Sequence, residues 1–212
     1  MPEENPRKKR SDTLILGVII VAALIGGAFY AWKTHGSKPA AVASVPETPV
    51  ADTAISYTSA KFKFSLKYPN DFSMDESYSN ISVNQKKPIS GVKFTIPLSM
   101  ATGTNLSSDT GLSIEQLPHA KNCTGDIYLA ANVKPHKVVD NAVTYSVATS
   151  SGAAAGNLYE EMVYAVASSS PCIAVRYFIH SSAIGNYSGV VREFDRTALL
   201  TVFDKIRKSL VR

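Results

Sequence analysis

From Leu14 to Trp32 the chain reads LILGVIIVAALIGGAFYAW, 19 residues without a charge or a proline. As a helix rising about 1.5 Å per residue, this run reaches about 28 Å, the hydrocarbon thickness of a bilayer. A helix on the surface of a soluble domain would carry a polar stripe, and this run has none. Tyr30 and Trp32 close it, at the position where amphipathic aromatics prefer the membrane interface. Arg7-Lys8-Lys9-Arg10 precedes it, so the positive-inside rule puts the N-terminus in the cytoplasm and everything after Lys33 outside. A cleaved signal peptide would have a shorter apolar run ending in a small-x-small site. Here the run ends in bulky Phe29, Tyr30 and Trp32, and no cysteine follows it to carry a lipid. The expectation is a single-pass signal-anchor helix over residues 13–32, embedded in the lipid bilayer behind a basic cytoplasmic segment, 1–12.

Residues 33–54 hold Pro39, Pro46 and Pro49 among Ala, Ser and Thr, with no hydrophobic period. Such a stretch buries too little apolar surface to fold and reads as a semi-extended linker. An extracytoplasmic domain over 55–212 remains, a comfortable size for one core. The net charge of +5 divides along the same lines. Four basic against three acidic residues in 1–12 give +1; Lys33 and Lys38 balance Glu47 and Asp52; the domain carries the remaining +4. That charge forms no dense basic stripe, so no nucleic-acid partner is expected.

Within the domain, Phe62, Phe64, Leu66 and Tyr68 alternate with Lys61, Lys63, Ser65 and Lys67, the period of a half-buried strand. Val92, Phe94 and Ile96 repeat the pattern before Pro97. Further strands are expected at Leu112–Leu117, Val143–Ala148, Leu158–Ala167 and Ile173–His180. At Phe194, Ala198, Leu199, Val202, Phe203, Ile206 and Leu210 the spacing changes to three and four, an amphipathic helix. The expected fold class is α+β: a transmembrane helix, then a mostly antiparallel twisted sheet with a C-terminal helix packed on it.

The opening Tyr57-Thr58-Ser59-Ala60-Lys61-Phe62-Lys63-Phe64-Ser65-Leu66-Lys67-Tyr68-Pro69-Asn70-Asp71-Phe72 resembles the first hairpin of PsbP-like domains, and the closing helix with Phe194 and Phe203 is similar to their ending. The stretch Pro171–Ser182, followed by Arg192-Glu193-Phe194-Asp195, resembles uncharacterised, membrane-anchored exported proteins of small-genome bacteria. The resemblance implies a twisted antiparallel sheet with flanking helices, used for binding or assembly, and it brings no catalytic residues.

Cys123 and Cys172 are the two cysteines. In an oxidising compartment they most simply form one disulfide. The competing class is an envelope enzyme, an unrecognised hydrolase or a sortase-like cysteine transpeptidase with Cys172 as nucleophile, His119 as proton shuttle and Arg176 as the activating cation. Against a sortase, Ser168-Ser169-Ser170-Pro171-Cys172 departs from the Thr-Leu-x-Thr-Cys strand ending of that family. No Gly-x-Ser-x-Gly elbow signals a serine hydrolase. His35, His119, His136 and His180 are scattered without ligand spacing, so neither a metal nor another cofactor is expected. Glu160 and Glu161 are strand neighbours facing opposite sides, and one of them is expected to pair with Arg176. Lys61, Lys63, Lys67 and Lys93 are the candidate basic surface, and its partner would be an envelope protein or an anionic surface. The expected role is therefore non-enzymatic: a binding or assembly domain held outside the cytoplasmic membrane.

One outcome follows from the cysteines alone. Neither should react with iodoacetamide in native, non-reduced protein, and closing a loop of about 50 residues should contribute about 4 kcal/mol, read from urea unfolding with and without reductant.

Overall fold

The computed structural model describes residues 53–187 and 189–212. The expected segments 1–12 and 13–32, and all but the last two residues of the 33–54 linker, lie outside the described residues. Among the described residues no helix is long and apolar enough to cross a membrane.

Among the described residues ten strands run in chain order: β1 Ala54–Ser59, β2 Phe64–Pro69, β3 Ser73–Asp75, β4 Ser79–Asn80, β5 Ile89–Thr95, β6 Gly111–Leu117, β7 His136–Asp140, β8 Val143–Ala154, β9 Asn157–Val166 and β10 Cys172–Ser182. A single turn, α1 (Leu98–Ala101), follows β5; the 3-10 turns η1 (Gly125–Tyr128) and η2 (Ile184–Tyr187) lie in later loops; α2 (Arg196–Lys208) follows β10. β1 and β2 form a separate hairpin, while the main sheet has the order β3-β5-β6-β10-β9-β8-β7, with β4 beside β5. All pairings between these strands are antiparallel.

This architecture corrects the expected α+β class. The described residues are mostly antiparallel sheet and 15% helical, with one helix longer than a single turn. The physical reason is local. Only the 194–210 segment has a helical apolar period, whereas β8, β9 and β10 run for 12, 10 and 11 residues and pair along most of their length. One helix beside such a sheet covers part of one face and makes no helical layer.

Two tight turns set the register of the long strands. Asn141-Ala142 joins β7 to β8, and Ala155-Gly156 joins β8 to β9; all four residues have positive φ, between 50° and 82°. This is the type I′ conformation, whose twist matches that of the flanking strands. Because the side-chain period is two, the register assigns alternate residues of β10 to opposite faces. Ile173, Val175, Tyr177 and Ile179 enter a core with Phe64, Leu66, Phe94, Leu112, Ile114, Leu199 and Phe203. Cys172 and Ala174 join a second core with Tyr128, Leu129, Val163 and Ala165, under η1. Gly125 makes this second layer close: a Cβ there would meet the backbone of Ala148, Ser146 and Val163 at under 3 Å.

Asp195 caps α2 by accepting from the Ala198 amide at 2.9 Å, and Lys205, Arg207 and Lys208 occupy its last turn, complementing the helix dipole. Arg207 is buried. Its guanidinium lies 4.9 Å from the Tyr145 ring centroid and 4.4 Å from that of Tyr164, and donates to the Tyr177 hydroxyl (2.9 Å), Asp140 (2.7 Å) and Asp204 (3.2 Å). One side chain thus ties the helix to β7, β8, β9 and β10. The Arg207 hydrogen bond holds the Asp140 carboxyl below the usual carboxylate range.

Arg207→Ala should lose about 0.5–3 kcal/mol in urea unfolding, since it removes the packing and hydrogen bonds of a buried side chain while Asp140 and Asp204 can still turn to water. A carboxyl whose folded pKa is depressed adds stability above its unfolded pKa and loses it as the pH falls through the folded one. Asp140→Asn should therefore flatten the fall of the melting temperature below about pH 4, the unfolded carboxylate range.

Candidate functional site

Arg176 sits at the middle of β10, opposite Ser113 of β6 and Val163 of β9, on the face away from α2. It is 2% exposed, so its charge needs partners from the protein. Nε donates to Glu115 Oε1 at 2.8 Å and Nη2 to Glu115 Oε2 at 3.1 Å, a two-pronged pair. Nη1 donates to Glu161, and Nη2 also reaches the Tyr128 carbonyl. Glu115 is fully buried and accepts in addition from Ser113 Oγ (2.8 Å), Asn80 Nδ2 (3.4 Å) and the Tyr78 hydroxyl (3.4 Å). Burial works against the Arg176 charge, but Glu115 and then Glu161 outweigh it and raise its pKa. Burial first, then the Glu115 charge, pushes the Tyr78 and Tyr128 phenols up, which keeps both as donors.

A cavity of about 280 Å³ opens over this cluster, lined among others by Tyr78, Lys93, Asp109, Glu161, Arg176 and Phe178. Lys93 Nζ donates to the Asp109 carbonyl at 3.0 Å and lies 5.6 Å from the Phe178 ring centroid. Beside it, His180 Nδ1 and Asp109 Oδ1 are 2.8 Å apart, and the imidazole stacks on Tyr159 with centroids 4.6 Å apart. The site is polar and mixed in charge, and the groups facing it are already bonded to one another.

Cys123 and Cys172 are disulfide-bonded, with an S–S distance of 2.05 Å and Cα atoms 5.1 Å apart. The bond fastens the loop before η1 to the first residue of β10, and the Tyr128 hydroxyl donates to the Cys172 carbonyl at 2.9 Å. The sulfur proposed as a nucleophile is thereby consumed. Arg176 lies four residues along the same strand, about 13 Å away by strand rise, and serves Glu115 and Glu161. His119 is exposed beyond β6 and does not line the cavity over Arg176. Glu160 and Glu161 do face opposite sides: Glu161 pairs with Arg176, and Glu160 with Arg196 at 2.7 Å. Lys61 and Lys63 are exposed on the β1–β2 connection, where Lys63 adopts φ 58°. Lys67 and Lys93 line different cavities, Lys67 facing a groove beside α2. Among the described residues no group of three or more His, Cys, Asp or Glu side chains is placed to hold a metal ion.

Sequence reasoning missed Glu115, Asn80, Tyr78 and Asp109. One signal was present: Glu115 is the single charge in β6 and Arg176 the single arginine or lysine in β10, both otherwise apolar or neutral strands. Two lone opposite charges in central strands point to each other.

No protein-family model matches the chain, and no curated protein matches it. A solved structure from Bacteroides thetaiotaomicron is similar at 11% identity and a TM-score of 0.43, over 75% of this chain and 48% of that one. The chain thus spans about half the length of that neighbour.

Glu115→Gln should cost about 3–5 kcal/mol, since it strands a buried guanidinium. The double variant Glu115→Met/Arg176→Met should cost less than the sum of Glu115→Met and Arg176→Met, a non-additivity that chemical unfolding of these three variants would measure.

Proposed function

We propose that this chain presents a non-enzymatic binding or assembly domain outside the cytoplasmic membrane, held there by the apolar segment over residues 13–32. The observation that carries the reading is the fate of Cys172. Its sulfur is bonded to Cys123, so the strongest nucleophile in the sequence is a cross-link. The other members of the competing catalytic set do not gather around it: Arg176 is enclosed by its own carboxylates and His119 is exposed elsewhere. The same bond supports the location, because disulfides persist in oxidising compartments and are rare in the cytosol. The 19-residue apolar run behind a basic cluster supports the anchor.

Added protease should digest the domain in spheroplasts, where the outer face of the cytoplasmic membrane is open to it, while a cytoplasmic marker stays intact. A domain resistant until the membrane is lysed would overturn the location. For the chemistry, non-reduced protein incubated with sorting-signal peptides and an amine acceptor should show no mass increment on Cys172. A thioester there would restore the enzyme reading.

A further inference from the structure

A groove of about 520 Å³ runs between β2 and the last turns of α2. Tyr68, Pro69, Val202 and Ile206 form an apolar floor, Lys67, Lys205 and Lys208 line its rim, and no acidic side chain is among its lining residues. Its walls are fixed to each other. The Ser209 hydroxyl accepts from the Lys67 amide at 2.8 Å and stands 3.2 Å from the Lys67 carbonyl, joining the end of the helix to the strand. Lys67 and Lys205 make no ion pair among the described residues, and Lys208 shares Asp140 at 3.4 Å.

The place where the chain joins the domain bears on what fills this groove. Ala54 forms part of its wall and pairs with Pro69, and Thr53 is clamped by its hydroxyl to Asn70 at 2.9 Å. The 52 residues before that point carry the apolar run, and the first described residues lie at the groove. Three cations above an apolar floor complement one chemistry, an anionic head group attached to hydrocarbon. We infer that this groove docks on anionic phospholipid, with Lys67, Lys205 and Lys208 on the phosphate and Pro69 and Val202 against the glycerol backbone and first methylenes. The inference rests on the membrane-tethered reading above and adds to it a specificity for lipid charge.

The test uses the full chain in lipid nanodiscs of phosphatidylcholine alone or with one quarter phosphatidylglycerol, and in neutral detergent. Lysines are acetylated with a water-soluble reagent and their rates read by mass spectrometry. Anionic discs should slow Lys67, Lys205 and Lys208 about fivefold, the effect of about one basic contact per lysine, with Lys121 and Lys134 unchanged. Salt at about 0.5 M should abolish the protection, since the screening length falls to about 4 Å. Lys67→Glu/Lys205→Glu should remove the protection of Lys208; if that variant does not fold, the wild-type comparison decides alone. Equal rates in neutral and anionic discs would overturn the inference. So would equal protection in discs and detergent, which would mean that the chain's own N-terminal segment covers the groove. A chain that enters no disc at all would remove the tether itself, and the docking with it.

Discussion

A single cation in the middle of the central strand governs the second face of this domain. A guanidinium buried to the extent of Arg176 cannot stay charged unless its donors are met, and each partner comes from a different piece of chain. Glu115 comes from β6, Glu161 from β9 and the Tyr128 carbonyl from the end of η1. The three innermost strands and the loop lying over them are thereby fixed at one point. Tyr78, Asn80 and Ser113 then supply Glu115 with the hydrogen bonds that Arg176 does not, which draws the β3–β5 connection onto the same spot. The disulfide secures the other end of that loop, so the layer under η1 is held by a covalent bond at one side and by charge at the other.

The opposite face is organised by different physics. There the apolar sides of β5, β6 and β10 meet the β1–β2 hairpin and α2, and the polar element is again one arginine. Arg207 differs from Arg176 in its company: it lies against the rings of two tyrosines, and its carboxylates lie toward solvent. The two arginines sit on opposite sides of one sheet, each converting a local packing arrangement into a fixed one.

Much of this was legible in the sequence. Alternation in 62–68, 92–96, 112–117, 143–148, 158–167 and 173–180 falls on β2, β5, β6, β8, β9 and β10, and the change of period after Phe194 falls on α2. The strand boundaries moved where pairing extended beyond the apolar pattern: β8 continues to Ala154 through Ser150, Ser151 and Gly152, because β9 beside it supplies the ladder. β7 was invisible for a related reason. Its HKVVD has little alternation, and it pairs through Asn141-Ala142, a turn lacking the glycine that usually announces type I′ geometry. The fold class was misjudged because one amphipathic helix was given the weight of a layer. The surroundings of Arg176 were half legible: Glu161 could be reached from strand alternation and Glu115 from its being the lone charge of its strand, whereas Asn80 depends on a strand order, β5-β6-β10, that no local pattern encodes.

The last turn of α2 carries its basic residues in two roles at once. Lys205 and Lys208 face the groove beside β2, and the same charges oppose the partial negative charge at the end of the helix. Lys208 also touches Asp140, which Arg207 holds from the other side, so the rim of the groove is wired into the tyrosine-lined pocket beneath the helix. Surface chemistry and fold stability are therefore not independent variables in this part of the molecule. A lineage that altered the charge of the groove would loosen the end of its helix and the edge strand β7 in the same step, and would have to repair both before the new surface became useful.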